Sequence, residues 1–379
     1  MSIRRVKACA GVAVEKGLGA EGRSSAKPFL ALRKISVVLS QQCGELSTSR
    51  QRAADRWFCG QGYALWRTPA YQFEKIEKPK GHKYTMNQTV FTGAATAIVT
   101  PFINNEVDYE QFGRLIEWQI AQGIDAIVAC GTTGEGSTLT DEEHRAVIEY
   151  AVKKVNGRVP VIAGTGSNDT AYAIDLTKFA CEAGADAMLL VTPYYNKATQ
   201  KGLIKSFEVV ADVSTKPCIL YNVPSRTGCN LLPASAAVLA DHPNIVAIKE
   251  ASGNISQIAE LASLVRGKMD IYSGNDDQIV PVLSLGGKGV ISVLSNLMPK
   301  ETSQMCHKFF AGDVAGSAKM QLDLLELVNA LFCEVNPIPV KAAMAAMGFG
   351  ENSLRLPLTT MEPQNAEKLY ALMRQHGLI

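Results

Sequence analysis

Ala126-Ile-Val-Ala-Cys130, then Asp141-Glu-Glu-His-Arg-Ala-Val-Ile-Glu-Tyr-Ala-Val-Lys-Lys-Val155, then Val161-Ile-Ala-Gly164: these three runs form one unit of a pattern that organises most of the chain. The outer two are short, apolar and rich in β-branched residues. They lack a polar alternate position, which marks a strand covered on both faces. The middle run has the helical period, and Thr140 with Glu143 three residues on makes a capping box at its start. A strand, a helix and a parallel strand follow from this one stretch.

The same alternation extends in both directions. Further strands are predicted at Ala94–Thr100, Ala187–Val191, Ile219–Asn222, Val246–Glu250, Asp270–Ser273 and Gly289–Val293, which brings the total to eight. Helix-period stretches separate them at Tyr109–Gln122, Thr170–Ala183, Lys201–Ala211, Ala234–Ala240, Ile255–Val265 and Gln278–Leu285. Asp108 and Ser256 stand near helix starts, and Gly123 and Gly184 at helix ends. Eight such units in about 220 residues fit a closed (β/α)8 TIM barrel better than an open sheet. Beyond Val293 only helical segments follow, around Lys300–Phe310, Val314–Phe332, Pro339–Met347 and Pro363–His376. The first completes the barrel and the rest form a C-terminal helical domain, so the division is 86–312 and 313–379.

Residues 1–85 differ in texture. They carry roughly 16 Lys and Arg against 6 Asp and Glu, are broken by Gly, Ser and Pro, and sustain no period. A targeting peptide, a binding tail and a spurious extension with translation starting at Met86 are the three readings. The last is preferred, with the segment largely disordered.

The chain as a whole is 47% hydrophobic and 20% charged, with a net charge of +2. That balance gives no general case for nucleic acid or a membrane surface, and no apolar run is long enough to span a bilayer. The nine cysteines and five histidines are scattered without metal-site spacing. Reduced thiols in a cytoplasmic protein are expected.

In a barrel the chemistry belongs at the C-terminal ends of the strands. The second strand runs into Gly131-Thr-Thr-Gly-Glu135, where hydroxyls and free amides between glycines suit a carboxylate, or simply make a turn. The fourth ends in Thr192-Pro-Tyr-Tyr-Asn196, two tyrosines at the rim that suit either a site or an interface. The fifth ends in Tyr221-Asn-Val-Pro-Ser-Arg-Thr-Gly228, with Arg226 a natural carboxylate clamp or a surface arginine. In the sixth, alternation puts Ala247 and Lys249 on one face and Ile248 and Glu250 on the other. A lysine aimed into a barrel is costly unless burial lowers its pKa and frees a neutral amine to attack a carbonyl; the bland alternative is snorkelling to the rim. Gly274, after the seventh strand, allows close backbone approach, while Asp276 and Asp277 read as charges at a helix N-terminus.

Taken together, the segments Gly131–Glu135, Thr192–Asn196, Tyr221–Gly228 and Ile248–Glu250 resemble the dihydrodipicolinate synthase family of pyruvate-dependent, Schiff-base-forming lyases. The likeness covers Phe91 to Ile379 in order and spacing. It implies that Lys249 forms a Schiff base with pyruvate, and that Thr132, Tyr221 and Tyr195 relay protons, Tyr195 from a neighbouring subunit. Thr133 and the main chain at Ile291 would hold pyruvate, Arg226 the carboxylate of L-aspartate 4-semialdehyde, and Gly274 would line the pocket. The implied reaction serves lysine and diaminopimelate biosynthesis, needs no cofactor and no metal, and is run by a homotetramer built as a dimer of dimers. The alternative is a sister aldolase or dehydratase acting on a keto-sugar acid. Lysine-inhibited members bind the effector at positions matching Gly136, Ser137, Asp141, His144, Asn168, Tyr172 and Tyr194. Here Tyr172 replaces a carboxylate and Asp141 a histidine, so weak or absent lysine feedback is expected.

Overall fold

A computed structural model describes residues 89–379; the basic stretch 1–85 and the expected start at Met86 lie outside the described residues. Eight parallel strands close into a barrel: β1 (Gly93–Ala97), β2 (Ala126–Ala129), β3 (Val161–Gly164), β4 (Ala187–Val191), β5 (Cys218–Asn222), β6 (Ile245–Glu250), β7 (Asp270–Ser273) and β8 (Gly289–Ser292). Each strand pairs with its sequence neighbours, and β1 closes the ring against β8. The covering helices are α1 (Tyr109–Ala121), α2 (Asp141–Val155), α3 (Thr170–Glu182), α4 (Gln200–Val213), α5 (Pro233–Leu239), α6 (Ile255–Val265), α7 (Ile279–Ser284) and α8 (Pro299–Phe310). A C-terminal helical region follows, made of α9 (Val314–Asp323), α10 (Leu325–Leu331), α11 (Ile338–Ala346) and α12 (Pro363–Gln375). Among the described residues no helix is long and apolar enough to cross a membrane.

Local chemistry explains the boundaries. Thr140 and Glu143 form the full capping box at the start of α2, and Asp108 caps α1 by accepting from Gln111 N. Gly123 and Gly184 follow helix ends with left-handed φ, as anticipated. Ser256 stands near the start of α6, as expected, and the cap itself is Asn254, which accepts from Gln257 N. The sequence reading needs correction in three places. The predicted helix Val314–Phe332 is two helices that meet at Leu324. A small antiparallel hairpin, Phe102–Ile103 with Glu106–Val107, was not foreseen, because its strands are too short to show a period. The first and second strands stop early: Ala97 ends β1, and Cys130 leaves β2 with φ at +56°.

The sheet divides the core in two. Outside it, the strand residues Ile127, Leu190, Leu220 and Ile248 pack against helices through Phe112, Ile148, Leu176 and Leu203. Inside it, Ala95, Ala126, Val128, Ile162, Ala187, Ile219, Ala247 and Ile291 fill the barrel with mostly small side chains. Tyr272 points down through this interior. Its hydroxyl donates to Phe91 O at 2.7 Å and its ring stacks on Phe91 at 4.3 Å, closing the end of the barrel opposite the loops. The strand C-termini surround the opposite end.

Candidate active site

The parallel register brings Tyr221 on β5, Lys249 on β6 and Tyr272 on β7 level with one another. Residues level across a sheet share a face, and Tyr272 is inside, so Lys249 is inside too. The predicted alternation holds: Ala247 belongs to the interior cluster and Ile248 to the exterior one. Glu250, on the outer face, is bonded by Asn222 Nδ2 at 3.0 Å and Ser252 N at 2.7 Å.

Lys249 is only 6% exposed. Its Nζ lies 4.4 Å from the centre of the Tyr221 ring, and among the described residues no carboxylate comes within ion-pair distance of it. Burial pulls its pKa down to about 7, partly opposed by the negative charge of Asp276 and assisted by the positive charge of Arg226. A substantial fraction of Lys249 is then a free amine near neutrality. Gly274 makes room for it: a Cβ at that position would stand 2.6 Å from Ala251 Cβ and 3.1 Å from Lys249 Cε.

Tyr221 is buried, which raises its pKa, and a hydrogen bond with Thr132 pulls the other way. Thr132 comes from the loop after β2. That loop is compressed by Gly136, where a Cβ would meet Cys130 O at 2.4 Å. The loop thereby delivers Thr132 to Tyr221 and Thr133 to the interior, where Thr133 is 3% exposed. Ile291 lies on β8, fully buried among the interior residues and level with Ala95.

Arg226 occupies a one-turn helix, Pro224–Thr227, at the mouth. Its Nη2 donates to Asn336 O at 3.1 Å, and Asn336 Nδ2 donates to Thr133 Oγ1 at 3.0 Å. Asn336 thus ties two expected site residues together from outside the barrel. Nothing in its sequence context marked it: it is a polar residue before a proline in a connecting segment. Asp276 is a second residue that sequence reading misplaced. It does open a short helical turn, but it is buried, and its Oδ2 accepts from Val293 N at 2.9 Å and Leu294 N at 2.8 Å. The charge expected at the helix end anchors the segment after β8 instead; Asp277 alone remains exposed.

One expected site residue is not brought to the others within the chain. Tyr195 is 88% exposed, with φ at +72°, a conformation a tyrosine adopts only under constraint.

Beside Thr132, Tyr221 and Arg226 opens a cavity of about 550 Å³ that continues to Ser137, His144, Tyr172 and Tyr194. His144 is buried, which depresses its pKa, and its ring donates to Gly164 O at 2.8 Å. Asp141 is held below the usual carboxylate range by Arg145, at 2.8 Å, and by the Tyr172 hydroxyl. Burial and Asp141 push the Tyr172 phenol up to about 12, so it is neutral.

Residues 90–376 match the model of the dihydrodipicolinate synthetase family. The chain belongs to that family. It is 60% identical over 292 residues to 4-hydroxy-tetrahydrodipicolinate synthase of Lachnoclostridium phytofermentans, covering 76% of this chain and 99% of that one. It is 56% identical over 294 residues to the enzyme of the same name from Acetivibrio thermocellus, covering 78% of this chain and all of that one. Among solved structures, chloride-inhibited dihydrodipicolinate synthase of Acinetobacter baumannii, complexed with pyruvate, superposes with a TM-score of 0.75 at 46% identity, over 77% of this chain and all of that one. The matched region of this family member coincides with the described barrel and C-terminal helices.

Proposed function

We propose that the chain condenses pyruvate with L-aspartate 4-semialdehyde to 4-hydroxy-tetrahydrodipicolinate, in lysine and diaminopimelate biosynthesis. The observation that carries this reading is a lysine on the inner face of the barrel, buried beside Tyr221, with no ion-pair partner among the described residues and with a pKa of about 7. The names of relatives at 56% and 60% identity support the choice of aldehyde.

The geometry supports the following steps. Lys249 Nζ adds to the C2 carbonyl of pyruvate and a water leaves, giving an iminium that draws electrons from the methyl carbon. Loss of a methyl proton forms the enamine. Its carbon bonds to the aldehyde carbon of the semialdehyde, whose oxygen takes up a proton. The substrate's amine then attacks the iminium carbon, closes the ring and expels Lys249. Each stage moves protons. Tyr221, bonded to Thr132, gives and takes them next to the nitrogen, and Tyr195 of a neighbouring subunit extends the relay to solvent. Thr133 and the main chain at Ile291 hold pyruvate, Gly274 lines its pocket, and Arg226 takes the semialdehyde's carboxylate.

The assembly we propose is a homotetramer, a dimer of dimers, in the cytoplasm. A strained tyrosine that projects into solvent from the single chain supports at least a dimer in which it is buried. The feedback we propose is weak or absent. In the cavity beside the site the only nearby carboxylate among those expected to face lysine, Asp141, is already neutralised by Arg145, and the Tyr172 phenol has no charge to offer an ammonium.

Turnover separates this reading from a sister aldolase. Aspartate semialdehyde with pyruvate should react on the order of a hundred-fold faster than a sugar aldehyde with pyruvate. A preference for the sugar aldehyde would overturn the proposal.

A further inference from the structure

Glu250 ends β6 one residue after Lys249, on the outer face of the sheet, and is 1% exposed. The proposed reaction makes no use of it. Donors converge on its carboxylate: Asn222 Nδ2 reaches Oε2 at 3.0 Å, Ser252 N reaches Oε1 at 2.7 Å, and the Ser252 hydroxyl adds a third bond. Burial raises its pKa, and these bonds pull the other way. Asn222 ends β5 one residue after Tyr221 and is level with Glu250. Asn222 is itself fixed: its Oδ1 accepts from Leu231 N at 2.9 Å, and its Nδ2 also donates to Asn230 Oδ1 at 2.9 Å. A buried carboxylate is costly, and Ile248 shows that the outer face of β6 accepts an apolar side chain. An apolar residue at 250 would serve the packing, but it could not join two strand ends.

The two strands need joining at this end. Their pairing is irregular at the other: Cys218 is level with Ile245 but Ile219 with Ala247, which leaves Val246 as an extra residue and disrupts the ladder there. A one-residue slip between β5 and β6 would turn Lys249 off the inner face. We propose that Glu250 is a positioning residue for the condensation: bonded to Asn222 and to the turn at Ser252, it pins the ends of β5 and β6 together and so holds Tyr221 beside Lys249 for proton transfer. The proposal rests on the Schiff-base reading of Lys249. A carboxylate is the group that fits the place. It only accepts, and donors reach both of its oxygens; an amide would turn an NH2 towards Asn222 Nδ2 or Ser252 N. The effect on the reaction is indirect but large, because a misplacement of about 1 Å between reacting groups can cost about a hundred-fold in rate.

The test follows, by NMR in D2O, the exchange of pyruvate methyl protons for deuterium with no aldehyde present. A proton leaves the methyl group of the iminium, its electron pair forms the enamine double bond, and a deuteron returns to the carbon. The rate therefore reads proton transfer apart from the choice of second substrate. Glu250→Gln should slow exchange about ten-fold or more at saturating pyruvate, while borohydride still traps Lys249 to a similar extent. In Asn222→Asp combined with Glu250→Gln, donor and acceptor change places across the same bond and the one negative charge is kept; the amide of Asn230 can turn over to follow. That pair should bring exchange back to within about three-fold of the unaltered chain. Exchange that is unchanged in Glu250→Gln, or slowed equally in the single and double variants, would overturn the proposal, because Glu250 would then serve the fold alone. If Glu250→Gln does not fold, as read by urea unfolding, Ser252→Ala decides. It takes one donor from the same carboxylate, and exchange as fast as in the unaltered chain would contradict the positioning role. The unaltered chain is measured first: neither exchange nor a borohydride adduct there would remove the Schiff-base reading itself, and the proposal with it.

Discussion

Two lysines are buried among the described residues, and their surroundings differ. Lys341, on α11, is 2% exposed, bonded to Glu135 at 2.6 Å and to Thr100 O at 2.9 Å, with the Phe102 ring 4.0 Å away. Lys249, on β6, is 6% exposed, with the Tyr221 ring 4.4 Å away and no ion-pair partner among the described residues. Burial lowers both pKa values, but Glu135 offsets the effect at Lys341, while the more distant Asp276 offsets it less at Lys249. A charge held by a partner fastens structure, here α11 to the loop that carries Thr132 and Thr133. A charge left without one is readily given up, and the neutral amine is a nucleophile.

The largest effect that separates the two is catalytic. Lys249→Met should cost at least about a thousand-fold in turnover, while leaving stability to denaturant unchanged or raised, since an uncompensated buried amine is removed. A Lys249→Met chain that unfolds at much lower denaturant would blur the contrast. Lys341→Met should behave in the opposite way. It strands Glu135 in the interior and should cost about 3–5 kcal/mol of stability by urea unfolding, most of it recovered when Glu135→Gln is added. Equal loss in the single and double variants would show that the pair contributes little.

The pH dependence sharpens the comparison further. With its pKa lowered to about 7, Lys249 should form its pyruvate adduct at a rate that climbs about ten-fold per pH unit below neutrality and levels off above it. Removing the charge that holds the pKa up, by Asp276→Asn, should move the midpoint to lower pH. The same shift affects stability. The unfolded chain binds a proton at Lys249 that the native one has released, so from about pH 7 up to the ordinary lysine value this group makes the fold more stable as pH rises. A midpoint near the ordinary lysine value would contradict the burial account. The smallest effect is regulatory: L-lysine below millimolar concentration should leave more than half the activity, and inhibition by half would show that Tyr172 and Asp141 do not prevent binding.

The sequence made Lys249 legible because strand alternation is a local rule: once Ile245–Glu250 is a strand, Ala247 and Lys249 must share a side. Closure of the barrel followed from counting, and the ends of its strands pointed to Thr132, Tyr221, Arg226 and Gly274. What stayed hidden depends on long-range contact. Asn336 reaches Thr133 across 203 positions, and Lys341 reaches Glu135 across 206. Neither residue belongs to a pattern that a local reading can detect. Asp276 was misread for a related reason. Its place at the start of a turn was visible, but the amides of Val293 and Leu294 that claim its carboxylate come from the next unit of the barrel.

The most direct measurement is borohydride reduction in the presence of pyruvate, followed by intact mass and peptide mapping. The account predicts a single pyruvyl adduct, on Lys249, with Lys341 unlabelled although it is equally buried. No adduct, or an adduct on Lys341, would contradict it.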